Sequence, residues 1–456
     1  MRENLLRRHR MNSVIRSFLE ARDFADIETP VLAKATPEGA RDYLVPSRIF
    51  PGRFYALPQA PQIYKQILMC SGFDRYYQLA HCFRDEDLRA DRQPEFIQLD
   101  LEMSFVEQED VLQPIEELIT ALVRDVAKHP TKLPLPWPRI PYADALKRYG
   151  TDKPDLRYGL EIVDLTELAS GCDFKVFSGA VEAGGAVRGI RVPGGAELSR
   201  KQIEGYQPVA GEFGAKGLAW MKVTAEGASG PVAKFFPGGE LEAAFGASPG
   251  DLLLFVADPD EGVVAWSLGA VRVAVARERD LVPENSFAAC MVVDFPLFHP
   301  GDQPGEWTPA HHAFTSPHPE DIEFLESDPG RVRALAYDPV LNGVELGSGS
   351  IRIHRRDLQE RIFNVMRIPP DEAQQRFGFL LDVLGFGAPP HGGVALGLDR
   401  VAMLLCGEEG IRDVIAFPKT TRAVDLMSDS PSPVDPGQLS DLGISLQSSP
   451  SSEGLV

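Results

Sequence analysis

The chain has 456 residues, 44% hydrophobic and 25% charged, with a formal net charge of −20 at pH 7. That profile belongs to an ordinary folded protein long enough for two or three domains; it argues against a generally basic nucleic-acid binder while leaving room for a local basic patch. Five dispersed cysteines without CxxC spacing (Cys70, Cys82, Cys172, Cys290 and Cys406) predict unligated thiols in a reducing, cytoplasmic setting, and no apolar run approaches the roughly 18 residues of a membrane span.

The Arg-rich start, MRENLLRRHRMNSVIRSFLEARDF, also holds Glu3, Glu20 and Asp23. Leu5, Leu6, Met11, Val14, Ile15, Phe18 and Leu19 follow helical spacing, so residues 4–22 read as a structural helix rather than a transit peptide. DFADIETPVL continues as a short extended segment, in which Pro30 cannot join an internal ladder. KATPEGARDYLVPSR reads as a loop that presents Glu38. In ALPQAPQIYKQILMCSGF, Pro61 can open a helix, which puts Gln62 and Lys65 on one face. Spacing alone does not lift Lys65 above an ordinary solvent-facing lysine.

Tyr76 to Phe105 predicts two β-strands joined by a charged loop. Ile97, Leu99, Leu101, Met103 and Phe105 alternate with Gln98, Asp100, Glu102 and Ser104, giving one core face and one polar face. On the first strand, parity puts Gln78, Arg84 and Glu86 opposite Leu79 and Phe83. The loop carries Arg89 and Arg92 and ends at Pro94. Such alternating charge is more than a solvated edge hairpin requires.

VEQEDVLQPIEELITALVRDVAKH reads as a scaffold helix, and Lys132 to Pro141 as a Pro-rich linker or arm. From about Leu156 to Val282 glycine becomes frequent between short β-branched runs such as Leu252–Val256 and Val271–Val275, which suggests an inserted α+β domain. The predicted organisation is a first catalytic part over 1–150, the insert over 156–283, a second catalytic part over 286–427 and a low-complexity tail over 428–456.

TPAHHAFTSPHPED places His311 beside His312; no further ligand lies at metal spacing, which favours a polar substrate contact or a structural role over zinc. In ALAYDPVLNGVELGSGSIRIH, Asn342-Gly343 predicts a two-residue hairpin turn with Val340 opposite Glu345 and Asp338 diagonal to it. The two carboxylates suit either a hard divalent cation or a water-screened surface pair. Arg352 and His354 alternate with Ile351 and Ile353. PPHGGVALGLDRVAMLLC reads as strand, glycine-rich bend and helix, with Gly392, Gly393 and Gly397 permitting close backbone approach. Arg400 in the first helical turn calls for an anionic partner such as phosphate. The tail after Arg422 lacks Lys and Arg and reads as extended and partly disordered.

These pieces resemble the signature motifs of class II aminoacyl-tRNA synthetases. DIETP with Pro30 resembles motif 1, FRDE followed by Arg92 to Phe96 resembles motif 2, and GLDR at Gly397–Arg400 resembles motif 3. The wording between them (ATPEGARDYLVPSR, ALPQAPQIYKQ, HHAFTSP, VELGSGSIRIH) is similar to that of bacterial-type aspartyl-tRNA synthetases, and the likeness runs to about Leu442. The resemblance implies an α+β fold: an antiparallel-sheet catalytic domain flanked by helices, with a GAD-like inserted domain. It implies an ATP-dependent ligase that forms aspartyl-adenylate and transfers aspartate to the 3′ end of tRNA(Asp), with tRNA(Asn) left open as a second acceptor. It further implies a homodimer through the motif 1 region and no membrane association.

Carried over residue by residue, Arg84 and Arg400 would be the catalytic arginines on the α- and γ-phosphates. Arg84, Asp85, Glu86, Gln93, Glu345, Gly397, Leu398, Asp399 and Arg400 would contact ATP, and Asp338 with Glu345 would hold Mg²⁺. Glu38, Gln62, Ile63, Tyr64, Lys65, Asp100, His311 and Arg352 would form the aspartate pocket. Lys65 and Arg352 would take the side-chain carboxylate and Asp100 the ammonium, and a neutral carboxamide would leave the two cations without a counter-charge. The chain departs from the family at Ser348, in a usual glycine triplet, at Ala313, and in beginning just before the motif 1 helix, where an anticodon-binding OB-fold is expected upstream. On this reading the OB-fold is missing, as in a fragment or late-start form of the full enzyme or in a catalytic-domain paralogue; the alternatives to the ligase are a truncated or paralogous catalytic domain that forms aspartyl-adenylate but uses another acceptor, and a non-catalytic synthetase-like interaction protein.

Overall fold

The apolar periodicity at the start of the chain becomes helix α1 (Arg2–Glu20), whose buried stripe is Met11, Ile15 and Leu19; Leu6 instead faces solvent. The computed structural model describes residues 1–35, 40–86 and 91–446. The chain divides into two units, one of residues 1–135, 297–336 and 346–456, the other of residues 136–296 and 337–345. Among the described residues no helix is long and apolar enough to cross a membrane.

In the first unit, five strands lie side by side. They are β1 (Ala25–Asp26), β2 (Arg75–Phe83), β3 (Glu95–Ser104), β4 (Gly347–Ile351) and β5 (His391–Gly397), in the order β1-β2-β3-β5-β4. Only β1 runs parallel to its neighbour; the other pairings are antiparallel. The α+β class expected from the sequence is therefore realised. Helix α2 (Gln62–Cys70) packs on β3, α3 (Gln108–Asp125) packs on α1, and α4 (Leu398–Cys406) packs on α1 and β3. Pro61 caps α2 rather than beginning it. A capping box between Glu107 and Asp110 starts α3, and Leu112, Ile115, Ile119 and Leu122 bury its inner face.

Two local expectations are corrected. The alternation of β3 stops at Ser104, because Phe105 turns into left-handed backbone (φ 57°) to donate its N–H to Pro390 O at 2.7 Å, and its ring is 74% exposed. Gly392 and Gly393 sit within β5 rather than in a bend. They are small because the neighbouring strands close in: a Cβ on Gly392 would meet Ile351 Cδ1 at 2.6 Å.

In the second unit, Ala289–Val293 pairs parallel with Arg139–Pro141 and antiparallel with Ala336–Leu341, which returns through the hairpin to Val344–Glu345. The predicted turn is present, with positive φ at Asn342 (54°) and Gly343 (76°) and Val340 opposite Glu345. A separate antiparallel sheet of five strands has Leu252–Asp258 at its centre. Leu254 and Val256 face one cluster with Val192, Leu268 and Val275, while Leu253 and Phe255 face another with Phe177 and Met221. Coverage on both faces explains the unbroken apolar run. Val271–Val275, read as a β-branched run, lies instead inside the helix Glu261–Glu278, which Asp260 caps and whose burial against the sheet outweighs its weak helix propensity. In the tail, Pro436–Asp441 forms a short helix capped by Asp435; the expected disorder beyond residue 446 falls outside the described residues.

Candidate active site

The polar parity of β3 comes together beneath α2. In the β2/β3 register Gln78 stands opposite Asp100 and Tyr76 opposite Glu102, so these four share one face. On the other side of β3, Ala395 pairs with Asp100 and Gly393 with Glu102. Lys65 reaches this face from α2 and Arg352 from the end of β4. Lys65, Asp100 and Glu102 are 0% exposed and Arg352 2%, so the face predicted as polar is closed off from solvent.

Lys65 Nζ lies 3.0 Å from Asp100 Oδ1 and 3.4 Å from Glu102 Oε2. Arg352 grips Glu102 with two contacts, Nε to Oε1 at 2.9 Å and Nη2 to Oε2 at 3.2 Å. The bidentate geometry matches guanidinium to carboxylate. The expectation that the two cations depend on a substrate carboxylate for counter-charge is thus corrected: Asp100 and Glu102 already supply it. Burial acts most strongly on both carboxyls, yet they shift in opposite directions. Burial raises the Asp100 pKa and Lys65 only partly offsets this; at Glu102, Arg352 and Lys65 together outweigh burial and hold the carboxyl below its usual range.

Around the quartet, Arg352 Nη1 lies 2.6 Å from Ser350 Oγ and 2.7 Å from His312 Nε2. His312 is thus in contact with Arg352, and His311 lies half-buried next to it in the chain. Burial, reinforced by Arg352, His311 and Lys65, holds the His312 pKa well below the ordinary histidine value. Thr29 Oγ1 and Tyr76 OH each donate to Gln78 Oε1 at 2.9 Å, which fixes the orientation of that amide. Of the remaining pocket residues named from the sequence, Gln62 and Ile63 are buried on α2, Tyr64 is half-buried, and Glu38 lies outside the described residues.

The second group of named residues surrounds the β2/β3 connection. Arg84 leaves β2 with its guanidinium carbon 5.1 Å from the Phe96 ring centroid, and its N–H donates to Pro94 O at 2.9 Å. Asp85 pairs its backbone with Arg41, and Glu86 Oε2 lies 3.1 Å from Arg92 Nη1. Gln93 exchanges amide hydrogen bonds with the Lys419 backbone at 3.1 and 2.9 Å. Gly397 is the N-cap of α4, with Leu398 buried behind it. Asp399 is buried between Ile97 N–H, at 3.2 Å, and Arg8, whereas Arg400 extends to Asp91 at 3.3 Å and stays partly exposed. Arg89 at the loop tip is outside the described residues.

Asp338 is buried and Glu345 half-buried on the paired strands of the second unit's hairpin. Two hard oxygen donors on adjacent strands fit a cation that keeps most of its other ligands as water or phosphate, the usual habit of Mg²⁺. Among the described residues no group of three or more His, Cys, Asp or Glu side chains is arranged to hold a metal.

Sequence reasoning misses Glu102 and Ser350, and of the His311–His312 pair it places only His311 in the aspartate pocket. For Glu102 a signal existed, since it shares the parity of Asp100. For His312 and Ser350 spacing carries none, because their roles arise from where Arg352 points.

A family model for tRNA synthetases class II (D, K and N) matches residues 1–421. The aspartate–tRNA(Asp/Asn) ligase of Moorella thermoacetica is 54% identical over 445 residues, covering 97% of this chain and 74% of that protein. The protein of the same name from Bacillus cytotoxicus is 52% identical over 443 residues, 96% of this chain and 75% of that one. The aspartate–tRNA ligase of Bacillus licheniformis is 52% identical over 451 residues, 98% and 76% respectively.

Proposed function

Because this chain belongs to the tRNA synthetases of class II (D, K and N), we propose that it is an aspartate–tRNA ligase that activates L-aspartate with ATP and transfers it to tRNA(Asp). One observation carries the amino-acid assignment. Asp100 Oδ2 is buried without a hydrogen-bond partner while Oδ1 takes Lys65. A buried acceptor left unmade costs about 1–3 kcal/mol, and the substrate's α-ammonium is the donor that removes this cost. The side-chain carboxylate then approaches Lys65 and Arg352, each of which can only donate. An asparagine side chain would turn an NH₂ group toward one of these donors, and that mismatch, rather than an absent counter-charge, is the basis of discrimination.

In the first step the substrate α-carboxylate attacks the α-phosphorus of ATP, forming a phosphorus–oxygen bond as pyrophosphate leaves. No protein nucleophile is needed; the chain's task is positioning and charge neutralisation. Arg84 would hold the α-phosphate and Arg400 the γ-phosphate, with Asp85, Glu86, Gln93, Gly397, Leu398 and Asp399 shaping the nucleotide site. Asp338 and Glu345 would hold Mg²⁺, which when bound adds Lewis-acid neutralisation of phosphate charge. In the second step a hydroxyl of the tRNA 3′-terminal adenosine attacks the activated acyl carbon and AMP departs.

The exposed Val31 and Leu32 beside Pro30 suit burial against a second copy, so the active form is taken to be a homodimer through this segment. Residues 156–283 are taken as an inserted domain and tRNA(Asn) as a second acceptor. Five free, dispersed thiols fit the cytoplasm. The test is ATP–pyrophosphate exchange: aspartate should support it and asparagine should not, and a folded sample inert to aspartate would overturn the assignment.

A further inference from the structure

His312 sits where two hydrogen-bond demands conflict. Its Nε2 lies 2.7 Å from Arg352 Nη1, a group that can only donate, so Nε2 must carry a lone pair. The ring is neutral, since burial and the neighbouring Arg352, His311 and Lys65 push its pKa well down. Its single proton is therefore on Nδ1. There it can be accepted by Thr315 Oγ1 at 3.3 Å, which in turn donates to Ser350 Oγ at 3.3 Å. Yet Phe314 N–H also points at Nδ1, at 3.2 Å. In this tautomer a backbone donor faces another donor. The opposite tautomer would satisfy Phe314 and fail Arg352.

We propose that His312 is a tautomeric placeholder for the substrate's side-chain carboxylate: it accepts from Arg352 in the free protein and, once aspartate binds, donates from Nε2 to that carboxylate. This rests on the reading of the site as an aspartate pocket. A carboxylate oxygen is a stronger acceptor for a guanidinium than a neutral imidazole is, so the incoming group takes the Arg352 Nη1–H that Nε2 now receives. Because His312 is only half-buried, the exchange runs through solvent: Nδ1 releases its proton to water as Nε2 takes one from water, so the ring stays neutral and no net proton is taken up. Nδ1 then accepts from Phe314 N–H, and the conflict disappears. His312 acts on specificity because Nε2–H satisfies an oxygen that only accepts, and would oppose the NH₂ of a carboxamide. It is a binding residue that would touch the substrate carboxylate beside Arg352.

The test is ¹⁵N NMR of ring-labelled histidines, with the His312 signals assigned by their loss in His312→Gln, together with calorimetry of L-aspartate binding in two buffers of different ionisation enthalpy. The expected result is that saturating aspartate exchanges the protonated-type and unprotonated-type ¹⁵N shifts between Nδ1 and Nε2, with the same binding heat in both buffers. Saturation by calorimetry with an unchanged His312 tautomer, or with net proton uptake, would overturn the proposal while leaving the aspartate assignment standing. Absence of aspartate binding would overturn both. In exchange kinetics, His312→Leu should raise the aspartate KM about tenfold or more with a smaller effect on kcat, and His312→Gln, which offers both an acceptor and a donor, should recover most of that loss. Equal damage in the two variants would argue for a merely structural ring.

Discussion

A side-chain carbon on Gly393 would stand 2.2 Å from Glu102 Oε2. It would also stand 2.1 Å from Leu101 O, so the backbone as well as the carboxylate bars it. The glycine is the space into which the Glu102 side chain packs while it holds Arg352. Gly393→Ala is expected to destabilise the protein by about 1–3 kcal/mol through overpacking and to displace the Glu102 carboxylate. Urea unfolding reads the first effect and aspartate KM the second; an unchanged midpoint would mean the two strands part without cost.

Lys65 and Asp100 form an ion pair in which both side chains are 1% exposed. Removing one partner leaves a buried charge, so Lys65→Met and Asp100→Leu should each cost about 3–5 kcal/mol, while the double variant should cost much less than the sum. A thermodynamic cycle from chemical denaturation gives the coupling. Simple additivity would show that the two groups do not rely on each other. All three variants should lose aspartate-dependent exchange.

The pH dependence follows from His312. Unfolded, it takes a proton near its ordinary pKa; folded, it resists until well below that. Below about pH 6.5 the unfolded state therefore binds more protons, and stability falls as pH falls, by at most about 1.4 kcal/mol per pH unit from this residue. Buried His391, also shifted down, adds to the same trend. Unfolding curves between about pH 7 and 5 should show a steeper loss for the wild type than for His312→Gln. Parallel curves would contradict a neutral His312.

Asp399 and Arg400 are adjacent in sequence and differ in surroundings, the first buried and the second partly exposed. Asp399 ties the start of α4 to Ile97 and Arg8, so Asp399→Ala should cost about 1–3 kcal/mol and lower the melting temperature. Arg400 is partly exposed beside Asp91, and Arg400→Ala should leave the melting temperature nearly unchanged while raising the ATP KM. An unchanged melting temperature in Asp399→Ala would mean that its contacts with Ile97 and Arg8 add nothing to stability.

What the sequence made legible was periodic or covalently local. The polar parity of β3 pointed to Asp100, the Asn342-Gly343 turn set the Val340–Glu345 register, and Gly397 marked the start of α4. What stayed hidden depended on convergence from distant segments. Nothing near Lys65 announces that it ends against Glu102, 37 residues along in the chain, so the counter-charges were assigned to substrate rather than protein. The contact of His312 with Arg352 depends on which way its ring turns. Phe105 kept the alternation in sequence but not in space, because a backbone bond to Pro390 ends the strand. Val271–Val275 carries β-branched residues that favour a strand, and its packing against the five-stranded sheet makes it helix.

Aspartate–tRNA ligase activity is read by incubating the protein with ATP, Mg²⁺, a tRNA(Asp) transcript and radiolabelled L-aspartate, and resolving charged from uncharged tRNA on an acid gel. The expected product is aspartyl-tRNA that depends on ATP and on Lys65 and Arg352, with none formed from labelled asparagine. Aspartate-dependent pyrophosphate exchange with no aspartyl-tRNA, even at high tRNA concentration, would contradict that activity.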